Sequence, residues 1–271
     1  MLALYFFLTQ AGAGALLAMT AVPVLAGGRL YLRFGAALAA SLIALGLGVS
    51  WWRFGLEPGG RFLAGAVATL LIAAGLFHVA RIGAGFVMML AGTALALAGV
   101  ASDAWLLLPA EGAAAPSRFW FVLDAVAGGL VSGSVLMAMV LGHYYLNIAG
   151  LRIRYLERLT LFATASIAAR AVILAVALTL HRAAWLPMLG MLVDAGDSLS
   201  DASIDPFTAV LLLLQVAAGI LVPFVFCLMA WRSARIASTQ SATGILYVAL
   251  IVVMMGELAG RSLVAMTRLP I

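Results

Sequence analysis

Eight apolar stretches, each close to twenty residues, follow one another along this chain with little between them, and that succession leaves few folds open. They run from Leu2 to Leu25, Phe34 to Trp52, Phe62 to Val79, Phe86 to Leu108, Phe119 to Leu146, Leu159 to Leu180, Phe207 to Trp231 and Ile245 to Met266. Crossing lipid hydrocarbon takes about 20 such residues in a helix, because no water is there to satisfy an open backbone. The expectation is an all-α, polytopic integral membrane protein with about eight transmembrane helices in a single transmembrane domain over residues 1–271. Charged residues make up 9% of the chain and hydrophobic ones 66%, with a mean hydropathy of +1.19. A soluble domain carries about 25% charged residues, so an ordinary soluble enzyme is excluded.

The first run has no basic residue before it and no small-residue cleavage site after it, and reads as a retained helix. The glycines Gly83 and Gly85 make a short link, so the third and fourth runs form an antiparallel hairpin. All 15 cations are arginine, spread over short loops rather than one patch, which gives no nucleic-acid surface. Cys227, the single cysteine, lies in an apolar run and reads as packing, with no disulfide or iron–sulfur framework. Orientation follows the arginines. Alternate loops hold Arg29, Arg33, Arg81, Arg152, Arg154, Arg158, Arg232 and Arg235 against Glu157 alone. The other side carries Arg53, Arg61, Arg118, Arg182 and Arg268 with seven acids, Glu57, Asp103, Glu111, Asp194, Asp197, Asp201 and Asp205, with Asp103 placed in a polar loop beside Pro109. The positive-inside rule then puts both termini outside, in a bacterial inner membrane. Two four-helix bundles would accommodate eight spans, although the residues show no repeat.

Charges inside the runs stand out against this background. In the last run Glu257 and Arg261 are four residues apart and so share one helix face. A charge near the bilayer centre costs roughly 2.5 to 3.5 kcal/mol on insertion scales, so the pair should face other helices or a wet cavity, either as a buried structural ion pair or as a functional site. Gln10, Trp52, Arg53, Asp124, Glu257 and Arg261 all fall in the outer half, and Arg170 lies near the midplane as a partner for Glu257. Carboxylates, an arginine and tryptophans beside apolar walls suit a greasy molecule with two carbonyls, such as a quinone, with a carboxylate to carry its proton outward. The inner end gathers His78, Arg81, His143, Tyr144 and Tyr145. Two imidazoles on separate helices at one depth are also what axial ligation of haem b requires.

Gly256, Glu257, Leu258, Gly260 and Arg261 make a Gly-Glu-Leu-x-Gly-Arg sequence that resembles the last helix of the dimethyl sulfoxide reductase membrane anchors, relatives of the polysulfide reductase membrane subunits. Phe7, Gln10, Gly12 and Gly14 of the first run are similarly arranged, and the Gly-rich stretch Gly128 to Leu141 fits less specifically. The resemblance implies eight helices with both termini outside, and a quinone-interacting anchor that passes electrons between menaquinol and an iron–sulfur subunit serving a molybdopterin catalytic subunit on the outer face. Where the family has a His-Leu-Gly-x-Pro sequence after its second helix, this chain reads Trp52-Arg53-Phe54-Gly55-Leu56-Glu57-Pro58, without the histidine. On this reading Glu257 takes or places a proton, with Asp124 beside it. Arg261 holds that carboxylate or a quinone oxygen, while Gln10, Trp52, Arg53 and Arg170 line the quinone site. A haem b cytochrome ligated by His78 and His143, a structural anchor and a transporter remain the other readings. The acidic stretch Asp194 to Asp205 is a surface on which a partner subunit could dock.

Overall fold

The computed structural model describes residues 1–21, 28–53, 59–107, 118–147, 151–180, 182 and 206–269. Every regular element among them is helical: α1 (Leu2–Ala21), α2 (Arg29–Arg53), α3 (Gly60–His78), α4 (Ile82–Leu107), α5 (Arg118–Asn147), α6 (Arg154–Leu180), α7 (Pro206–Val216), a π-helical segment (Ala217–Leu221), α8 (Val222–Arg235) and α9 (Thr239–Thr267). With α7, the π segment and α8 taken as one span, eight helices are long and apolar enough to cross a membrane. The chain is thus built as a multi-pass membrane protein.

Several helices start before their apolar runs do. Arg29 and Arg33 belong to the first turns of α2 rather than to a loop, and Arg154 and Arg158 to the start of α6. A helix keeps its own backbone hydrogen bonds into the interface, and long guanidinium side chains reach water from there. The hairpin between α3 and α4 also differs from expectation. Its turn falls at Val79, Ala80 and Arg81, with Ala80 left-handed at φ 63° and the Arg81 N–H donating to the Leu76 carbonyl at 2.9 Å. Gly83 and Gly85 lie inside α4, where Gly85 makes room for the Phe77 ring, 2.7 Å from where a Cβ would stand. Ala237, at φ 59°, turns α8 into α9 in the same manner.

Asp103 is a correction. It is not in a loop but in α4, 1% exposed, where it accepts hydrogen bonds from the Tyr5 hydroxyl and, at 2.5 Å, from the Gly59 N–H. Burial is tolerable there because two donors meet the carboxylate. The contact ties α1 and α4 to the start of α3.

The innermost helices are α1 and α5, whose apolar windows are 72% and 78% buried against 33% to 44% for the rest. Lipid tails are as apolar as leucine, so close packing rather than hydrophobicity must hold such helices together. Small residues supply it. A Cβ on Gly14 would overlap the Gly129 carbonyl, and one on Gly133 would overlap the backbone at Gly14 and Ala15. Cys227 is a buried free thiol, and Trp51 and Trp52 project from the end of α2.

Candidate functional site

Three helices bring four charges into one closed ring. Asp124 comes from the first third of α5, Arg170 from the middle of α6, and Glu257 and Arg261 from successive turns of α9. The side chains of Asp124 and Arg170 form an ion pair through Oδ1 and Nη1. Asp124 Oδ2 accepts from Arg261 Nη1 at 2.5 Å, Arg261 Nη2 reaches Glu257 Oε2 at 3.5 Å, and Glu257 Oε1 closes the ring on Arg170 Nε at 3.7 Å. Both guanidinium groups also face the Asp124 carbonyl, at 3.1 Å from Arg170 and 3.4 Å from Arg261. All four residues are at most 3% exposed. Two positive and two negative charges alternate, so the set is neutral as a whole, which is the condition under which charge survives in lipid. Asp124 is held by both arginines at hydrogen-bonding distance, whereas Glu257 is held loosely.

Glycines shape the cavity that the ring fills. A Cβ on Gly128, one turn beyond Asp124, would stand 2.5 Å from Arg261 Nη2 and would also strike Glu257 Oε2. About 100° round α9 from the charges, Gly256 lies against the backbone at Gly219, and a Cβ on Gly260 would meet the Gln215 Oε1 at 2.5 Å. Gln215 is wholly buried at the end of α7, immediately before the π segment. Within that segment the Val222 N–H bonds back to the Ala217 carbonyl, five residues earlier, and Pro223 follows with no N–H to offer. Among the described residues, Arg170 Nε and Nη2, Glu257 Oε1, Arg261 Nε and both ends of the Gln215 amide are buried without a hydrogen-bond partner. Buried polar atoms without a hydrogen bond disfavour the fold, and Arg170 Nε and Glu257 Oε1 offset each other only through their ion pair at 3.7 Å. The ring is therefore held at a cost to the fold.

The other expected residues lie apart from it. Gln10 is buried where α1 crosses α5, packed on Gly129, while the neighbouring Gly128 faces the ring. Trp52 is 90% exposed and lines an open groove of about 920 Å³ with Met1, Ser41, Leu45 and Val49. Arg53 closes α2, and its side chain lies outside the described residues, as do Glu57, Pro58, Glu111 and the acidic stretch Asp194 to Asp205. His78 and His143 have different neighbours. The His78 Nδ1 meets Arg33 Nη1 of α2 at 2.8 Å, while His143 Nδ1 meets the Tyr247 hydroxyl of α9 at 3.1 Å. Among the described residues no group of three or more His, Cys, Asp or Glu side chains gathers as a metal site.

Two elements of the site escaped the reading of the sequence. Gln215 is the one polar interruption in Leu211 to Val216, a signal that was present. The π segment had only Gly219 and Pro223 to announce it. Compared with known protein families, curated proteins and solved structures, the chain shows no significant match to any of them.

Proposed function

We propose that this chain is the membrane anchor and quinone-interacting subunit of a bacterial respiratory oxidoreductase. Both termini face outward, and electrons pass between menaquinol and an iron–sulfur partner that serves a catalytic subunit, molybdopterin-dependent by the resemblance, on the outer face. The eight spans would group as two four-helix bundles. The observation that carries the reading is the buried ring of Asp124, Arg170, Glu257 and Arg261, with its loosely held Glu257 and its unpartnered nitrogens and oxygens. A ring kept for packing alone could be replaced by apolar side chains at no loss of stability. Charge that persists inside a span, with hydrogen-bonding capacity unspent, is the usual mark of a proton or ligand path.

Glu257 would receive or place a proton, Asp124 would fix the two arginines, and Arg261 would orient the carboxylate. A quinol gives up two electrons to the iron–sulfur partner and two protons to the outer side. The residues of this chain supply the proton positions, not the redox centre. The alternative of haem b would use the Nε2 atoms of His78 and His143, whose Nδ1 atoms meet Arg33 and Tyr247, and it would need the His143 Nε2 contact with Asn147 Nδ2 at 3.2 Å to be given up.

The test is a reduced-minus-oxidised visible spectrum of the purified complex, with haem and quinone extracted from the same sample. Menaquinone without haem is the expected result. Glu257→Gln should then assemble normally and lose quinol-dependent electron transfer by about 10²-fold or more, the usual share of a positioned acid–base group. An assembled and fully active Glu257→Gln complex refutes the assignment of Glu257. Finding neither menaquinone nor haem leaves a structural anchor.

A further inference from the structure

At the arginine-rich end of the bundle, roughly 15 Å along α9 from Glu257, a cleft of about 450 Å³ opens among α2, α5 and α9. That volume is within the range of small-molecule sites. Its walls are Phe34, Met139 and Tyr144, and Tyr144 meets the Phe34 ring edge-on at 6.1 Å between centroids. Its polar side is a chain of three groups, Asn147, His143 and Tyr247.

The direction of that chain can be worked out. Asn147 Nδ2 donates to the His143 backbone carbonyl at 3.0 Å, which fixes that atom as the amide nitrogen. The same nitrogen lies 3.2 Å from His143 Nε2, so Nε2 accepts and a neutral ring must carry its proton on Nδ1. Nδ1 in turn donates to the Tyr247 oxygen at 3.1 Å. The phenolic proton of Tyr247 is then left to donate elsewhere, and Asn147 Oδ1 is left to accept. Among the described residues no arginine lines the cleft, and the nearby Arg33 is engaged with His78, so the phosphate of a lipid headgroup is poorly matched there. The site suits a neutral, flat, membrane-soluble ring with a carbonyl oxygen.

We infer that the cleft between Phe34, Tyr144 and Tyr247 binds a quinone headgroup, with the Tyr247 hydroxyl donating to one quinone carbonyl and the His143–Asn147 pair fixing the direction of that donor. The inference rests on the proposed function for the class of ligand, and it places a headgroup site at the end of the bundle opposite Trp52, separate from the charged ring at Glu257 and in addition to any quinone position there. Other openings fit less well. Among the described residues the groove beside Trp52 has Ser41 as its polar side chain besides the Trp52 indole, and that hydroxyl is engaged with the Ala37 carbonyl at 2.9 Å. The opening among Arg152, Arg154 and Arg158 is about 140 Å³ and cationic.

The experiment uses the purified full-length protein, titrated with a fluorescent hydroxyquinoline N-oxide as quinone analogue and competed with a short-chain menaquinone. Tyr247→Phe should weaken both ligands about tenfold, while Ser41→Ala in the other groove leaves binding within twofold. In the wild type, an azido-naphthoquinone photoprobe should label peptides from Phe34, Met139 to Asn147, or Tyr247. This labelling does not depend on any variant folding. Label confined to the Trp52 groove, or unchanged affinity in Tyr247→Phe, overturns the cleft while leaving a quinone-binding subunit intact. A phospholipid retained in the cleft and not displaced by menaquinone overturns it too. No binding of either quinone ligand anywhere removes the cleft and the proposed function together.

Discussion

Replacing Asp124 by asparagine is the sharpest perturbation of the ring, because one atom change removes a full charge with little change of shape. What remains is Arg170 and Arg261 facing a single carboxylate, Glu257, at 3.7 and 3.5 Å. At an effective dielectric of about 20, unit charges at these separations interact by about 5 kcal/mol each, so neither arginine is fully compensated. Breaking a buried pair by removing one partner costs roughly 3 to 5 kcal/mol in measured cases. The same range is expected here, equivalent to an unfolding constant raised between about 10² and several 10³-fold. Reversible unfolding of the purified protein in mixed detergent reads this directly. The decisive comparison is the double variant Asp124→Asn with Arg261→Gln, which restores neutrality with one ion pair left. It should recover at least about 1.5 kcal/mol relative to the sum of the two single changes, as coupled neighbours do. A single variant that costs less than about 1 kcal/mol refutes the reasoning. A double variant no better than additive would show that the four groups are not one electrostatic unit.

Three further outcomes are expected. Gly14→Ala should impair assembly, since its Cβ has no space beside the Gly129 backbone, at a cost of about 1 to 3 kcal/mol or more; Gly48→Ala, with open space around it, should be silent in the same thermal-stability assay. Tyr5→Phe should cost about 1 to 3 kcal/mol by taking the hydroxyl donor from Asp103 and leaving it the Gly59 N–H, and an unchanged melting temperature would show that the contact contributes little. Gln215→Leu should leave stability unchanged or raised, because both polar ends of this amide are buried without partners; a lowered stability would mean that the amide is satisfied in the protein.

Helix number was legible because a span of lipid imposes its length on the sequence, and no competing signal intervenes. The pairing of Glu257 with Arg261 was legible for the same local reason, a four-residue spacing on one helix. Which distant charges would join them was not. Asp124 and Arg170 were visible as charges in apolar runs, but only packing of α5 and α6 on α9 shows that Asp124, rather than Glu257, is the tighter partner of Arg170. Asp103 was misplaced because a carboxylate near a helix end looks the same in sequence whether water or Tyr5 receives it. The turns at Ala80 and Ala237 were hidden for a related reason. Left-handed backbone is usually marked by glycine, and here alanine takes it where the short hairpin leaves no other route.

The π segment adds a consequence on the scale of descent rather than energy. Such a turn holds one residue more than the α-turn it replaces, and each helical residue advances the face by about 100°. Everything up to Gln215 is therefore rotated by that angle from the register that α8 alone would set. Loss of one codon between Ala217 and Leu221 would straighten the span without shortening it seriously, yet it would swing the Gln215 amide off Gly260. In an alignment of relatives, a one-residue gap at this place should travel with the replacement of Gln215 by an apolar residue. A gap that leaves the glutamine in place would mean that its position beside α9 is dispensable.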